Sequence, residues 1–206
     1  MNDNLAMLIG FLLSDGSVYY DKSKQTYCIQ LTNTVPAMLE RFKSLMQACF
    51  GLENYSINNC PPAKSMRFFS KKTALELFDY SPSYRTARFP DGSYPPSKIP
   101  KAVFADNALL KNFLQAFASC DGTVVLNEGN SQFRIELACY HPIIRQQLAE
   151  AMKQFGIECT VTQTRVIVRG KKNFQLFFEK IGFLPESTVS NTRSNRFGIA
   201  KNSLAP

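Results

Sequence analysis

Two short segments place a carboxylate where an apolar helix is least able to accommodate one. Residues 8–16 read LIGFLLSDG and residues 114–122 read LQAFASCDG. In each, an apolar run closes on an aspartate and a glycine, Asp15-Gly16 in the first and Asp121-Gly122 in the second. One Asp-Gly pair ahead of a strand is an ordinary turn signal. Two copies match further: Leu8 with Leu114, Phe11 with Phe117, and the small residues Gly10 with Ala116 and Ser14 with Cys120. Positions 10 and 14 are four apart, so they share a helix face. Small side chains there let two helix axes approach closely. A pseudo-twofold pair of such helices would bring both aspartates out side by side, at the C-terminal and therefore negative ends of the two macrodipoles. A divalent cation is the natural partner for that arrangement. Mg²⁺ prefers one or two carboxylates, with phosphate oxygens and water completing its shell. Two such centres can activate water and stabilise the leaving oxygen of a phosphodiester.

The elements around the two segments repeat. Residues 4–15 have a helical pattern, and GSVYYDKSKQTYCIQLTNT reads as a hairpin turning near Asp21–Lys24. An amphipathic helix follows, with Met38, Leu39, Phe42, Leu45, Met46 and Cys49 on one face and Gly51 as its terminator. YSIN and SMRFFS make a second hairpin, and KKTALELFDY a short helix. After residues 81–106, which hold five of the chain's eleven prolines, the order α-β-β-α-β-β-α begins again. Asp15 and Asp121 stand 106 residues apart, as do Pro36 and Pro142; Gly51 and Gly156 stand 105 apart, and the pairs Lys71-Lys72 and Lys171-Lys172 stand 100 apart. The drop in offset places a deletion in the second hairpin, where a change of length costs little. An internal duplication is the reading, with halves at 1–80 and 107–206 joined by a linker at 81–106. The fold class expected is α+β: two αββαββα units with pseudo-twofold symmetry, each with a four-stranded antiparallel sheet.

Composition narrows the function classes. The chain has 206 residues and a net charge of +8, which suggests a polyanionic partner such as nucleic acid. Six scattered cysteines and one histidine, with no C-x-x-C, do not make a structural zinc site. No run approaches a membrane span, and the first residues lack the basic start of a signal peptide. An intracellular protein with reduced thiols is therefore expected, in cytoplasm, nucleoid or organelle and not secreted. No phosphate-cradling glycine loop or nucleophile elbow supports a metabolic enzyme. His141, just before Pro142, is read as a capping or surface residue without chemistry. Phe68, Phe69, Phe174, Phe177 and Phe178 are read as core.

The two Asp-Gly segments and the repeat that follows each resemble the LAGLIDADG homing endonucleases of the monomeric, double-motif type, over roughly residues 4–183. The acid at the sixth motif position is absent here, replaced by Leu13 and Ser119. The resemblance implies that the motif helices form the interface between the halves and that the two sheets form a DNA-binding saddle. It implies that Asp15 and Asp121, with Gly16 and Gly122 beside them, hold Mg²⁺ or Mn²⁺ at the two scissile phosphates, and that Ca²⁺ binds without supporting cleavage. It places a polar residue near each metal at the end of the second strand, matching Asn33 and, as a departure, Cys139. It also places a basic one in the segment before the second motif helix, suggesting Lys98 or Lys101. Thr26, Cys28, Gln30, Thr32, Ser56, Asn58 and Arg67 in the first half would face DNA, with Gln132, Arg134, Glu136, Thr160, Thr162, Arg165 and Arg169 in the second. Tyr27, Ile29, Leu31, Phe133, Ile135 and Leu137 would face the helices. Arg193, Arg196 and Lys201 in the polar tail are expected to touch backbone phosphate or nothing. The activity implied is site-specific double-strand DNA cleavage by a monomer with an internal pseudo-dimer, on a long and partly asymmetric target. The alternative is a non-cleaving nucleic-acid binder on the same fold, either an intron RNA maturase or a transcription regulator.

Overall fold

A computed structural model describes residues 1–127, 132–189 and 198–205. The first half runs α1 (Asp3–Leu12), β1 (Gly16–Asp21), β2 (Thr26–Asn33), α2 (Pro36–Phe50), β3 (Tyr55–Cys60), β4 (Ala63–Phe69) and α3 (Lys71–Tyr80). The second repeats it as α4 (Asn107–Asp121), β5 (Gly122–Asn127), β6 (Gln132–Ala138), α5 (Pro142–Gln154), β7 (Cys159–Val161), β8 (Arg165–Arg169) and α6 (Lys171–Lys180). Both sheets are antiparallel with the same order, β1-β2-β4-β3 and β5-β6-β8-β7. The missing residues of the second half fall where the offsets put them: β3 has six residues and β7 three.

Local chemistry accounts for the boundaries. Asn2 and Ser70 cap α1 and α3 by accepting from Leu5 N and Thr73 N. Pro36 and Pro142 open α2 and α5 at a position whose N–H would be unpaired anyway. Gly51 closes α2 in the left-handed conformation at φ 65°, which a side chain would disfavour. Between α3 and α4 the chain is irregular up to a 3-10 turn at Lys101–Ala105. Tyr84 is wholly buried there and its hydroxyl donates to Leu77 O at the end of α3.

The core forms where the alternation predicts it. Ile29, Leu31, Met66 and Phe68 of the first sheet are fully buried, as are Ile135, Leu137, Val166 and Val168 of the second. Each such side chain contributes about 1.5–3 kcal/mol through burial. α1 lies along α4 between the sheets. Gly10 is where the two backbones come closest: a Cβ there would sit 2.5 Å from Phe113 O and 2.9 Å from the Cβ of Ala116. The small-residue face is therefore a contact and not a coincidence of composition. Phe69 departs from the core reading. It pairs across from Cys28, so it stands on the polar face of the first sheet and is 46% exposed, while Phe68, Phe174 and Phe177 are buried. Among the described residues, no helix is long and apolar enough to cross a membrane.

Candidate active site at the ends of the motif helices

Both aspartates leave their helices at a tight passage into a strand. α1 ends at Leu12, earlier than the apolar run, so Asp15 lies in the turn before β1; Asp121 is the last residue of α4. Gly16 and Gly122 pair with Leu31 and Leu137 on the neighbouring strand. A Cβ on Gly16 would meet Leu12 Cα at 2.6 Å, and one on Gly122 would meet Ala118 O at 2.2 Å. Glycine is thus required for the turn that aims each acid. The first turn is fixed further by Thr32 N donating to Asp15 O at 3.1 Å.

The acids are close enough to feel each other. Burial raises the pKa of both above the usual carboxylate range, and the charge of Asp15 raises that of Asp121 further. Asp15 is partly compensated. Asn33 Nδ2 donates to its Oδ2 at 2.7 Å, and Asn33 Oδ1 in turn accepts from Val35 N at 2.8 Å, which fixes the amide's orientation. The Cys120 thiol of the opposite motif also hydrogen-bonds Asp15, and burial and the Asp15 charge push that thiol well up. Among the described residues, Asp121 has no amide equivalent to Asn33. Cys139 occupies that place, and its Sγ points to His141 O at 3.6 Å.

The cation of this cluster is Lys201. It is 4% exposed, and its Nζ donates to Ser119 O at 2.9 Å and Gly122 O at 2.7 Å. Burial lowers its pKa to about 8, while both aspartates draw it up. Its charge in turn lowers both carboxyl pKa values. The tail that delivers it is tied down at several points. Ser187 Oγ donates to Ser119 O, Lys201 N to Ser187 O, and Asn202 bonds Phe183 through both its amide atoms. Arg41 on α2 pairs with Glu186, joining the tail to the first half.

The tail reading is therefore corrected for Lys201, which is a buried part of the site. Arg193 and Arg196 lie outside the described residues. Lys98 is exposed, its backbone held by Ser81 Oγ, and Lys101 opens the turn leading into the N-terminus of α4, the end of that helix away from Asp121. Neither joins the cluster. His141 caps α5 as expected but is fully buried, its Nε2 at 2.8 Å from Pro95 O.

The candidate DNA-facing residues fall on the polar sides of the two sheets, but not all are free to reach out. Gln30 accepts from Arg67 Nε at 3.1 Å, Thr26 and Thr32 are partly exposed, and Ser56 and Asn58 lie across from Arg67 and Ser65. Cys28 is 1% exposed beside Tyr19, too deep for base contact. Glu136 is 7% exposed and held by Arg134 and Arg165. Thr162 lies in the turn before β8 and bonds Arg165, while Thr160, Arg169 and Gln132 are exposed.

A family profile described as LAGLIDADG-like domain matches residues 2–66 and 108–182. The chain belongs to this family. A structure of a mesophilic variant of the homing endonuclease I-DmoI superimposes with a TM-score of 0.62, at 14% identity over 87% of this chain and 90% of that one. I-DmoI in complex with DNA and Mn gives 0.61, at 12% identity over 87% and 96%. The N-terminal LAGLIDADG domain of DUF199/WhiA gives 0.57, at 14% identity over 88% and 82%. At these identities the likeness is one of fold. Among curated proteins, the replication factor C small subunits of Pyrococcus horikoshii and Pyrococcus furiosus are 29% and 25% identical, over 88% and 92% of this chain. The chain spans about a fifth of the length of these relatives, 18% and 19%. Lys201 lies beyond the second matched segment, which ends at residue 182.

Proposed function

We propose that the protein is a divalent-metal-dependent, site-specific DNA endonuclease that cuts both strands of a long, partly asymmetric target. The observation that carries the reading is the convergence of Asp15 and Asp121 at adjacent helix ends, both half-buried and both with pKa values raised by desolvation. The donor set suits Mg²⁺ or Mn²⁺: two carboxylates with backbone carbonyls beside them, all hard oxygen. A bound ion would polarise the phosphodiester and lower the pKa of its water. The chain's own residues do the rest. Asp15 and Asp121 would hold the ions, with Gly16 and Gly122 at their sides. Asn33 holds one Asp15 oxygen, Oδ2, by a hydrogen bond. Lys201 supplies a fixed positive charge between the acids and an incoming phosphate. The polar sheet faces would carry the duplex, with arginines over guanine and Gln or Asn over adenine. I-DmoI in complex with DNA and with Mn shares this fold, which supports the reading.

A second reading, a non-cleaving binder of DNA or intron RNA, is favoured by one observation: the Lys201 ammonium already takes Gly122 O and balances the acids without metal. The two separate in a cleavage selection from a randomised plasmid library with Mg²⁺, run beside a binding selection with Ca²⁺. Cutting with Mg²⁺, lost by roughly 10²- to 10⁴-fold in Asp15→Asn and Asp121→Asn while binding persists, is the expected result. Binding without cutting under either ion selects the second reading.

A further inference from the structure

On the polar face of the second sheet an acid is buried where a DNA-facing surface should be basic. Glu136 sits mid-strand on β6, between Thr123 of β5 and Ile167 of β8. Ile167 is 7% exposed and closes one side of it. An unpaired carboxylate so placed would be costly, and it is paired twice. Its Oε1 lies 2.7 Å from Arg134 Nε, and its Oε2 accepts from Arg165 Nη1. Arg165 is held there by a hydrogen bond and Arg134 by an ion pair, its buried Nε making no hydrogen bond, and among the described residues each keeps an edge of two donors. Arg134 keeps Nη1 and Nη2, and Arg165 keeps Nε and Nη2. Both side chains still reach solvent, at 38% and 52% exposed.

Two parallel N–H donors on a rigid plane match the O6 and N7 acceptors that guanine presents in the major groove. A free surface arginine loses rotamer entropy when it docks there, and one already braced by a buried carboxylate loses less. Because both guanidinium groups share one carboxylate, they can serve only neighbouring base pairs. Glu136 is only 7% exposed, too deep to accept from cytosine N4, so it acts through the arginines. The first sheet lacks this device. In register, Cys28, Gln30 and Ser65 stand where Arg134, Glu136 and Arg165 stand in the second.

We propose that Glu136 is the positioning residue of a guanine-reading arginine pair, Arg134 and Arg165, by which the second half of the protein selects two neighbouring guanines in its half-site. The proposal rests on the sheets being the DNA-reading surface, but not on cleavage. The test is a binding selection from a fully randomised duplex library in Ca²⁺, with the wild type and with Arg134→Ala, Arg165→Ala and Glu136→Gln. The expected wild-type consensus holds two adjacent guanine-selective positions on one side of the site. Each alanine variant loses selectivity at one of them by roughly 5- to 100-fold and leaves the others unchanged. Glu136→Gln, which offers one acceptor where Glu offers two, weakens at least one of the pair. The alanine variants change partly exposed side chains and decide the matter even if Glu136→Gln folds poorly. A uniform fall in affinity across all sequences with a shallower salt dependence would mean phosphate contacts and overturn the proposal. So would a consensus with no guanine position that responds. Sequence-selective binding with no cutting in Mg²⁺ would sink the endonuclease reading while leaving this one standing, and no DNA binding at all would sink both.

Discussion

The two ends of the motif-helix pair share a strand-entry glycine and the charge of Lys201, and differ in the hydrogen bonds that reach the acids. Around Asp15 the partners are neutral hydrogen-bond donors: the Asn33 amide and the Cys120 thiol. Around Asp121 the place of the amide is taken by Cys139, whose thiol turns to His141 O, and the nearest help is the ammonium of Lys201 at Gly122 O. Duplication preserved what the fold needs, namely the Asp-Gly passage into the strand and the close approach of Gly10 to Ala116. It left free the side chains that hydrogen-bond each acid. Both acids feel the Lys201 charge brought from a segment distant in sequence, but only the first also has the dipoles of an amide and a thiol. A dipole orients a carboxylate and leaves it able to take a cation, whereas a lysine competes for the same oxygens.

Removing Lys201 should disturb this comparison most. Lys201→Met removes a donor from Gly122 O and one of the two side-chain donors from Ser119 O, which keeps Ser187, and strips the compensating charge from two half-buried acids. A loss of about 1–3 kcal/mol in stability is expected for the carbonyls alone, read as a lower denaturation midpoint in metal-free buffer. Saturating Mg²⁺ should restore part of it, since the ion supplies the charge that the lysine did. If the variant is as stable as the wild type in metal-free buffer, Lys201 is not what balances the pair.

Much of this was legible in the sequence because the chain states it twice. The offsets between Asp15 and Asp121, Pro36 and Pro142, and the lysine pairs located both units and the shortened second hairpin. Gly10 and Ala116 gave the helix contact, and the alternation in β2 and β6 gave the sheet faces. Lys201 was not legible, because its place is set by hydrogen bonds from Ser187, Asn202 and Gln115 that join residues far apart in sequence. One trace of it existed. Lys201 stands 100 residues after Lys101, the same offset as the lysine pairs, and each of the two opens a 3-10 turn. Lys101 alone leads straight into a helix, so the repeat diverges just where the chemistry does. Glu136 and Cys28 were misjudged for a related reason. Alternation tells which face a residue is on, but not whether a neighbour such as Arg165 or Tyr19 lies over it.

Exchanging the strand-end residues sharpens the comparison by a smaller amount. Cys139→Asn should give Asp121 the amide that Asp15 has, and Asn33→Cys should take it away from Asp15. Groups that orient a metal-binding carboxylate typically matter by about 10- to 100-fold in metal affinity or activity. The expected readout is strand-resolved: with end-labelled duplex, Cys139→Asn speeds the slower strand and Asn33→Cys slows the faster one. Equal effects of either change on both strands would mean that the two sites are not separately tuned.

The gentlest probe is pH in the absence of metal. Asp15 and Asp121 have folded-state pKa values raised above the usual carboxylate value, chiefly by burial. Over the range between that value and the raised ones, the folded state holds more protons than the unfolded, so stability falls as pH rises. Lys201, lowered to about 8, acts in the opposite sense but only above that pH, where the unfolded chain binds the extra proton. Buried His141, held below its usual pKa by desolvation, acts in the opposite sense at about pH 6, so in a His141→Gln background the metal-free melting temperature should decline between about pH 4 and pH 8 and level off or recover above it. Asp121→Asn removes one of the two raised groups and the repulsion that adds to Asp121, so in the same background its decline should be shallower. Saturating Mg²⁺ should flatten the decline as well, because the ion favours the ionised acids at the pH where they are hardest to keep charged. A melting temperature that rises across the same range would mean that dipoles and Lys201 together outweigh burial, and that both acids are already ionised before any metal arrives.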